Sequence, residues 1–131
     1  MSQDRSAPLF VVVDDDPATL HSTCFLLESR GHRVEAFTDG EDLLASFPGP
    51  KPCCVLLDQV MPGLDGLDVA GRLRALDALI PVILITGHPA PGIRRRARAA
   101  GVPLIEKPFD YETLLGLLAA PPGSGERAVP S

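Results

Sequence analysis

Four short apolar runs in the chain each lead into a group that can hold a cation or a phosphoryl oxygen. Asp14-Asp15-Asp16 follows residues 9–13, Asp58 follows 53–57, Thr86 follows 81–85, and Lys107 comes two positions after 102–105. Aspartates supply the hard oxygen ligands that magnesium takes, with coordination positions left over for water and phosphate oxygens. Three adjacent carboxylates repel one another at neutral pH unless a cation joins them. Asp16 before Pro17 reads as a helix N-cap and first helical residue, which leaves Asp14 and Asp15 for the ion. Asp58 is the natural nucleophile, because a carboxylate accepts a phosphoryl group as an acyl phosphate once its charge is balanced. Lys107 supplies the balancing cation and Thr86 a hydroxyl donor.

These groups meet only if the runs are strands of one sheet with their C-terminal ends aligned. Apolar runs of this length suit strands covered on both faces, as in a parallel sheet between helix layers. After Asp16, the spacing of Leu20, Cys24 and Leu27 predicts a helix that stops at Gly31. Residues 33–37 alternate as a shorter strand. Asp39-Gly40-Glu41 opens a helix through Leu43, Leu44 and Phe47, ended by Pro48-Gly49-Pro50-Lys51-Pro52. Met61-Pro62-Gly63 turns the chain out of the sheet just past Asp58. Residues 64–76 and 92–100 are expected to be helical, and Asp110 to cap a last helix through Leu114, Leu115 and Leu118. Five strands alternating with five helices predict an α/β fold with a doubly wound parallel sheet. Ligands bind at the carboxyl edge of such sheets.

The 131-residue chain is expected to form one domain over residues 9–120. That length buries roughly two-thirds of the unfolded surface without disulfides or a structural metal. A polar tail at 1–8 and a Pro-, Gly- and Ser-rich, disordered tail at 121–131 flank it. No apolar run approaches the ~20 residues of a membrane span. The amino-terminal residues lack the apolar core of a signal peptide, so a cytoplasmic protein with no membrane partner is expected. Cys24, Cys53 and Cys54 lack Cys-x-x-Cys spacing and are expected to be buried thiols, the last two on opposite faces of a strand. Residues 1–70 hold 12 acidic and 4 basic side chains, a net of −8, and residues 71–131 hold 5 and 8, a net of +3. Half of the molecule would repel phosphates, which argues against nucleic-acid binding by this domain itself.

Val-Val-Asp-Asp-Asp at 12–16, Leu-Asp-Gln-Val-Met-Pro-Gly-Leu-Asp-Gly at 57–66, Ile-Thr-Gly-His at 85–88 and Glu-Lys-Pro-Phe at 106–109 come in a specific order and spacing. In these motifs the chain resembles the receiver domains of two-component response regulators, CheY-like in type and FixJ-type in wording. The resemblance implies a flavodoxin-like sheet of order 2-1-3-4-5. It implies Mg2+ as cofactor, held by Asp14, Asp15, Asp58 and the Val60 backbone carbonyl, and phosphorylation on Asp58. Thr86 and Gly87 then belong to the switch and phosphate-binding segment, Lys107 is the phosphate partner, and the bond to Pro108 is cis. Val60 and His88 flank the phosphorylated group and tune its lifetime. The implied partners are a sensor histidine kinase or phosphotransfer protein, and a downstream protein or second copy of the chain docking on the fourth helix, fifth strand and fifth helix. Apart from self-phosphorylation and self-dephosphorylation, no enzyme activity is implied.

Leu104 occupies the switch position where most receivers carry Tyr or Phe, so a rotating ring cannot report phosphorylation. That substitution motivates an alternative, a receiver-like binding module that works without phosphorylation. A haloacid-dehalogenase-type magnesium phosphohydrolase matches Asp14-x-Asp16, Thr86 and Lys107 loosely, but leaves Asp58 idle. Arg94, Arg95, Arg96 and Arg98 on the fourth helix read either as a solvated face or as a docking surface. His21 and His32 are expected at exposed or helix-end positions. No DNA-binding module follows residue 120, so the chain reads as a stand-alone receiver or as the amino-terminal receiver of a longer regulator.

Overall fold

Three strands, Leu9–Val13 (β1), Cys54–Asp58 (β3) and Val82–Thr86 (β4), are buried at every residue. Their side chains alternate between the faces of the sheet, and each face is apolar enough to need its own helix layer. The computed structural model describes residues 8–47, 52–87 and 91–119. The remaining elements are Pro17–Glu28 (α1), Arg33–Phe37 (β2), Gly40–Ala45 (α2), Gly66–Leu76 (α3), Pro91–Ala100 (α4), Leu104–Glu106 (β5) and Tyr111–Ala119 (α5).

The sheet is wholly parallel in the order β2-β1-β3-β4-β5. Val11, Val13, Val55, Leu57 and Leu84 point to one face, where Leu43 of α2, Val69 and Leu73 of α3 and Ala97 of α4 pack. Phe10, Val12, Leu56, Ile83 and Ile85 point to the other, against Leu27 of α1 and Leu114 of α5. Each fully buried Leu, Ile or Val contributes about 1.5–3 kcal/mol of transfer free energy, which holds the strand ends in fixed register. Val13 pairs with Leu57, Asp58 with Ile85, and Thr86 with Glu106, so the strands finish along one edge.

Element boundaries move by a residue or two from the sequence expectation, each for a local reason. β4 and β5 start after Pro81 and Pro103, because proline has no N–H for the ladder. Their carbonyls still accept from Val55 N–H at 2.9 Å and Leu84 N–H at 2.8 Å. α3 starts at Gly66 because Asp65 forms a capping box with Asp68, leaving Leu64 outside the helix. Asp16 is the N-cap of α1, but its carboxylate accepts from the Thr19 hydroxyl at 2.5 Å and no backbone amide is capped by it. α2 ends at Ala45, and Phe47 lies beyond it as a half-buried side chain against the core.

Two expectations are corrected. Cys53 is exposed at a bend before β3, and only Cys54 is fully buried, with Cys24 half-buried. The Cys53 amide still bonds Leu9 carbonyl at 2.8 Å, but its side chain lies at the strand entrance, outside the buried run. His32 has the expected helix-end position, its amide on Leu27 carbonyl at 3.2 Å, but is half-buried there rather than exposed. Its Nε2 lies 2.6 Å from the Tyr111 hydroxyl, and its ring sits 4.7 Å from that of Phe10. Burial holds the His32 imidazole below its ordinary pKa. The native state thus binds fewer protons there than the unfolded chain, and this contribution to stability, present above the unfolded value of about 6.5, is lost as pH falls below it through the lower native value. His32→Phe should flatten that part of the stability profile in urea melts between pH 5 and 7.5; an unchanged slope would count against it. Among the described residues no helix is long and apolar enough to cross a membrane.

Candidate functional site

The carboxyl ends of β1, β3 and β5 bring three charged groups into contact. Asp14 leaves β1 with its amide bonded to Phe37 carbonyl at 3.1 Å and its Oδ1 accepting from Asp16 N–H at 2.9 Å. Its Oδ2 lies 3.3 Å from Lys107 Nζ. Asp58 is the last residue of β3, and its Oδ1 lies 3.2 Å from the same ammonium. Asp58 is 6% exposed and Asp14 3%, so one half-buried cation bridges two desolvated carboxylates. The Lys107 amide donates to Thr86 carbonyl at 2.9 Å, which ties the lysine to the end of β4, and the Lys107–Pro108 peptide is cis.

Asp15 is exposed beside this pair, and carboxylate oxygens of Asp14, Asp15 and Asp58 all lie within 4.8 Å of one another. Oxygens on one magnesium ion are at most about 4.2 Å apart, from its ~2.1 Å bond length, so small side-chain rotations suffice to converge this set. An all-carboxylate donor set suits a hard divalent ion better than the softer metals that select sulfur or imidazole.

The electrostatics show what this arrangement costs. Burial and the neighbouring Asp14 charge push the Asp58 carboxyl up to about 6, against the opposing pull of Lys107. Burial lowers the Lys107 ammonium, but Asp58 and Asp14 outweigh it, so its pKa is raised overall. Between about pH 4 and 6 the native metal-free chain therefore holds a proton at Asp58 that the unfolded chain has released, and stability falls as pH rises through that window. Urea melts in chelator should show this decline for the native sequence and a flatter profile for Asp58→Asn. A native profile that rises from pH 4 to 6 and matches the variant would contradict it.

Thr86 ends β4 and is 2% exposed. Gly87 follows in open space on the exposed side. Val60 projects a side chain that is 73% exposed two residues after Asp58. Leu104 is half-buried against the cluster of the α2–α3–α4 face and pairs with Leu84 in the sheet. His88, the remaining sequence candidate, lies outside the described residues.

The four arginines of α4 do not form one face. Arg94 is ion-paired and hydrogen-bonded to Glu106, at the end of β5. Arg96 comes within 4.0 Å of Asp65, the N-cap of α3. Arg95 and Arg98 are exposed and make no ion pair among the described residues.

Sequence reasoning passed over Gln59 and Gly66. Gln59 is 5% exposed, and its side chain bonds the start of α3 at both ends. At Gly66 α3 runs close against the end of β3, since a Cβ there would lie 2.7 Å from Asp58 carbonyl oxygen. The signals were a polar residue between apolar Leu57 and Met61, and a glycine directly after an N-cap aspartate.

Comparison with known proteins adds the family. Residues 10–119 match the family model described as the response regulator receiver domain. The chain is 36% identical over 121 residues to the transcriptional regulatory protein FixJ of Bradyrhizobium diazoefficiens, covering 92% of this chain and 59% of that protein. It is 36% identical over 118 residues to the response regulator protein TodT of Pseudomonas putida, covering 89% of this chain and 52% of that protein. The chain thus spans between half and three-fifths of these relatives. Among solved structures, the CheY-like receiver domain protein of Methanospirillum hungatei superposes with a TM-score of 0.79 at 26% identity, covering 94% of this chain and 99% of the other. The BeF3-activated DrrB receiver domain gives a TM-score of 0.75 at 27% identity, covering 86% and 94%.

Proposed function

The chain belongs to the response regulator receiver domain family, and from that premise we propose that it accepts a phosphoryl group on Asp58 from a sensor histidine kinase or phosphotransfer protein. The observation that carries this reading is the Lys107 ammonium held 3.2 Å from Asp58 and 3.3 Å from Asp14 at the carboxyl edge of the sheet. Asp14, Asp15 and Asp58, with the Val60 carbonyl, would hold Mg2+. Once bound, the ion neutralises charge on the oxygens of the transferring group. An Asp58 oxygen attacks phosphorus as the bond to the donor nitrogen breaks, which leaves a neutral imidazole on the donor and an acyl phosphate here. The Lys107 ammonium then exchanges its bond to Asp58 for one to a phosphoryl oxygen, and the Thr86 hydroxyl and Gly87 amide face the others.

Reversal by water is slow where nothing orients the attacking molecule. The apolar Val60 has no group to give such help and the imidazole of His88 has one; His88→Ala should change the dephosphorylation rate a few-fold, roughly 1 kcal/mol in barrier. Identical decay rates would remove His88 from the site. The signal leaves through α4, β5 and the start of α5 to a downstream protein or a second copy of the chain. Leu104 contributes by repacking against its core cluster, and Arg95 and Arg98 are the α4 arginines without an ion pair inside the domain. The phosphohydrolase alternative is weakened because the Asp16 carboxylate is taken up by the Thr19 hydroxyl.

Intact mass after incubation with acetyl phosphate tests the reading. One phosphoryl group should be gained with magnesium and none in chelator. No gain under either condition would end it.

A further inference from the structure

Gln59 sits between two residues that the proposed function places at the metal, Asp58 and Val60, yet its side chain turns away from them. It is 5% exposed, and a buried carboxamide costs free energy unless both of its ends are paired. Both are. Oε1 accepts from Leu67 N–H at 3.0 Å, and Nε2 donates to Asp65 Oδ2 at 2.9 Å. The backbone is fixed as well, with the Gln59 amide on Ile85 carbonyl at 2.8 Å and its carbonyl accepting from Gly66 N–H at 3.1 Å. A single residue thus spans from β4 to the first turn of α3.

On its far side the Val60 carbonyl is held by Met61, 7% exposed in the core cluster, and by little else. The Val60 side chain is 73% exposed and packs too little to fix the peptide, Pro62 offers no amide, and Gly63 turns the loop at φ 77°. Asp65, the other end of the Gln59 bond, is itself held by Asp68 N–H at 2.8 Å and approached by Arg96 at 4.0 Å. The Val60 carbonyl therefore lies between two anchors, the buried Met61 side chain after it and the Gln59 carboxamide directly before it.

Resting on the receiver reading, we propose that Gln59 is a positioning residue whose carboxamide, pinned between Leu67 N–H and Asp65, sets the orientation of the Val60 carbonyl toward a divalent cation. Outer-shell groups of this kind set metal affinity without touching the ion. The rival account is that Gln59 only helps start α3, and the two separate experimentally.

Gln59→Met keeps the length and apolar contacts of the side chain and removes both bonds. Asp65→Asn keeps a good N-cap but places an amide where Gln59 needs an acceptor, so one of the two bonds is lost whichever way Gln59 turns. Asp68→Ala breaks the reciprocal half of the capping box, matches Asp65→Asn in charge, and leaves the Gln59 bonds in place. Magnesium dissociation constants are read from amide chemical-shift titrations of each folded protein with magnesium chloride, beside its melting temperature. Gln59→Met and Asp65→Asn should weaken magnesium binding on the order of tenfold. Asp68→Ala should lower the melting temperature and leave the constant within about twofold, below that outer-shell range. Equal constants in the native chain and in Asp65→Asn overturn the inference even if Gln59→Met does not fold. So does an Asp68→Ala effect as large as the others, since that would trace affinity to helix stability. If the native chain binds no magnesium and gains no phosphoryl mass, the receiver reading itself falls, a result distinct from variants that match a binding native chain.

Discussion

Asp58→Asn is expected to abolish the gain of one phosphoryl mass from acetyl phosphate and magnesium, while leaving a folded protein. The asparagine keeps the shape of the side chain at the end of β3 but removes the nucleophilic oxygen charge. It also removes the strained element of the site, the carboxyl that burial and Asp14 push up to about 6. The variant should therefore melt no lower than the native chain at pH 7 in chelator. Lys107→Ala should be less absolute. The nucleophile stays, but two desolvated carboxylates lose their shared cation, so uptake slows and the link to conformational change weakens. Undiminished labelling of Asp58→Asn would show that the phosphoryl group resides elsewhere and would sink the assignment.

Gly66→Ala is the second large effect, and it removes no functional group. A Cβ at this position would lie 2.5 Å from Leu84 Cδ1, 2.7 Å from Asp58 carbonyl oxygen and 3.0 Å from Gln59 Cα. Two of these three atoms are backbone at the strand end that carries Asp58, so relief has to come from moving β3 or α3. Overpacking of this kind costs about 1–3 kcal/mol, and more where backbone has to shift. A loss of roughly 10 °C in melting temperature is expected for a domain of this size. Phosphoryl uptake should slow as well, because Asp58 is displaced from Lys107. Gly71→Ala is the contrast. It lies in the same helix with nothing within 4 Å of a Cβ, and should stabilise by about 0.5–1 kcal/mol through helix propensity alone. Equal melting temperatures for Gly66→Ala and the native chain would mean that β3 and α3 are not pressed together as described.

The sheet and its active edge were legible because the physics that writes them is local. Apolar runs of four or five residues bounded by turn signals, at 9–13, 53–57, 81–85 and 102–105, suit strands, and Asp14, Asp58, Thr86 and Lys107 each come at or just past such a run. Alternation of strands and helices then forces the ends together. What escaped were features set by a partner distant in sequence. His32 is a helix-end residue as its sequence position says, but its half-burial and its bond come from Tyr111, 79 positions away. The α4 arginines look alike along the chain, but helical rotation sends Arg94 to Glu106 and Arg96 toward Asp65 and leaves Arg95 and Arg98 without an ion pair among the described residues. Gln59 looks like an ordinary loop residue because nothing local says that α3 begins close enough to take both ends of its carboxamide. Cys53 was misread for the opposite reason, an apolar neighbour suggesting a strand one residue longer than the cover provided.

The way α4 is attached has a consequence for the medium in which the protein works. Among its described residues only Ala97 is fully buried, and two ion pairs reaching Glu106 and Asp65 join it to the rest of the domain. The Arg94–Glu106 pair is half-exposed on both sides, and contacts of that type contribute about 0–1 kcal/mol each and weaken as salt rises. The Debye length shrinks from about 30 Å at 0.01 M salt to about 8 Å at 0.15 M, so α4 is held more firmly in dilute buffer than at physiological ionic strength. Glu106 adjoins Lys107, and Asp65 is bonded to Gln59 beside Asp58, so each anchor lies one step from the carboxylate cluster. If the proposed function holds, the free energy that phosphorylation would have to supply to shift α4 is adjustable by dissolved salt, and switching thresholds measured at about 0.01 M salt should exceed those measured at about 0.15 M.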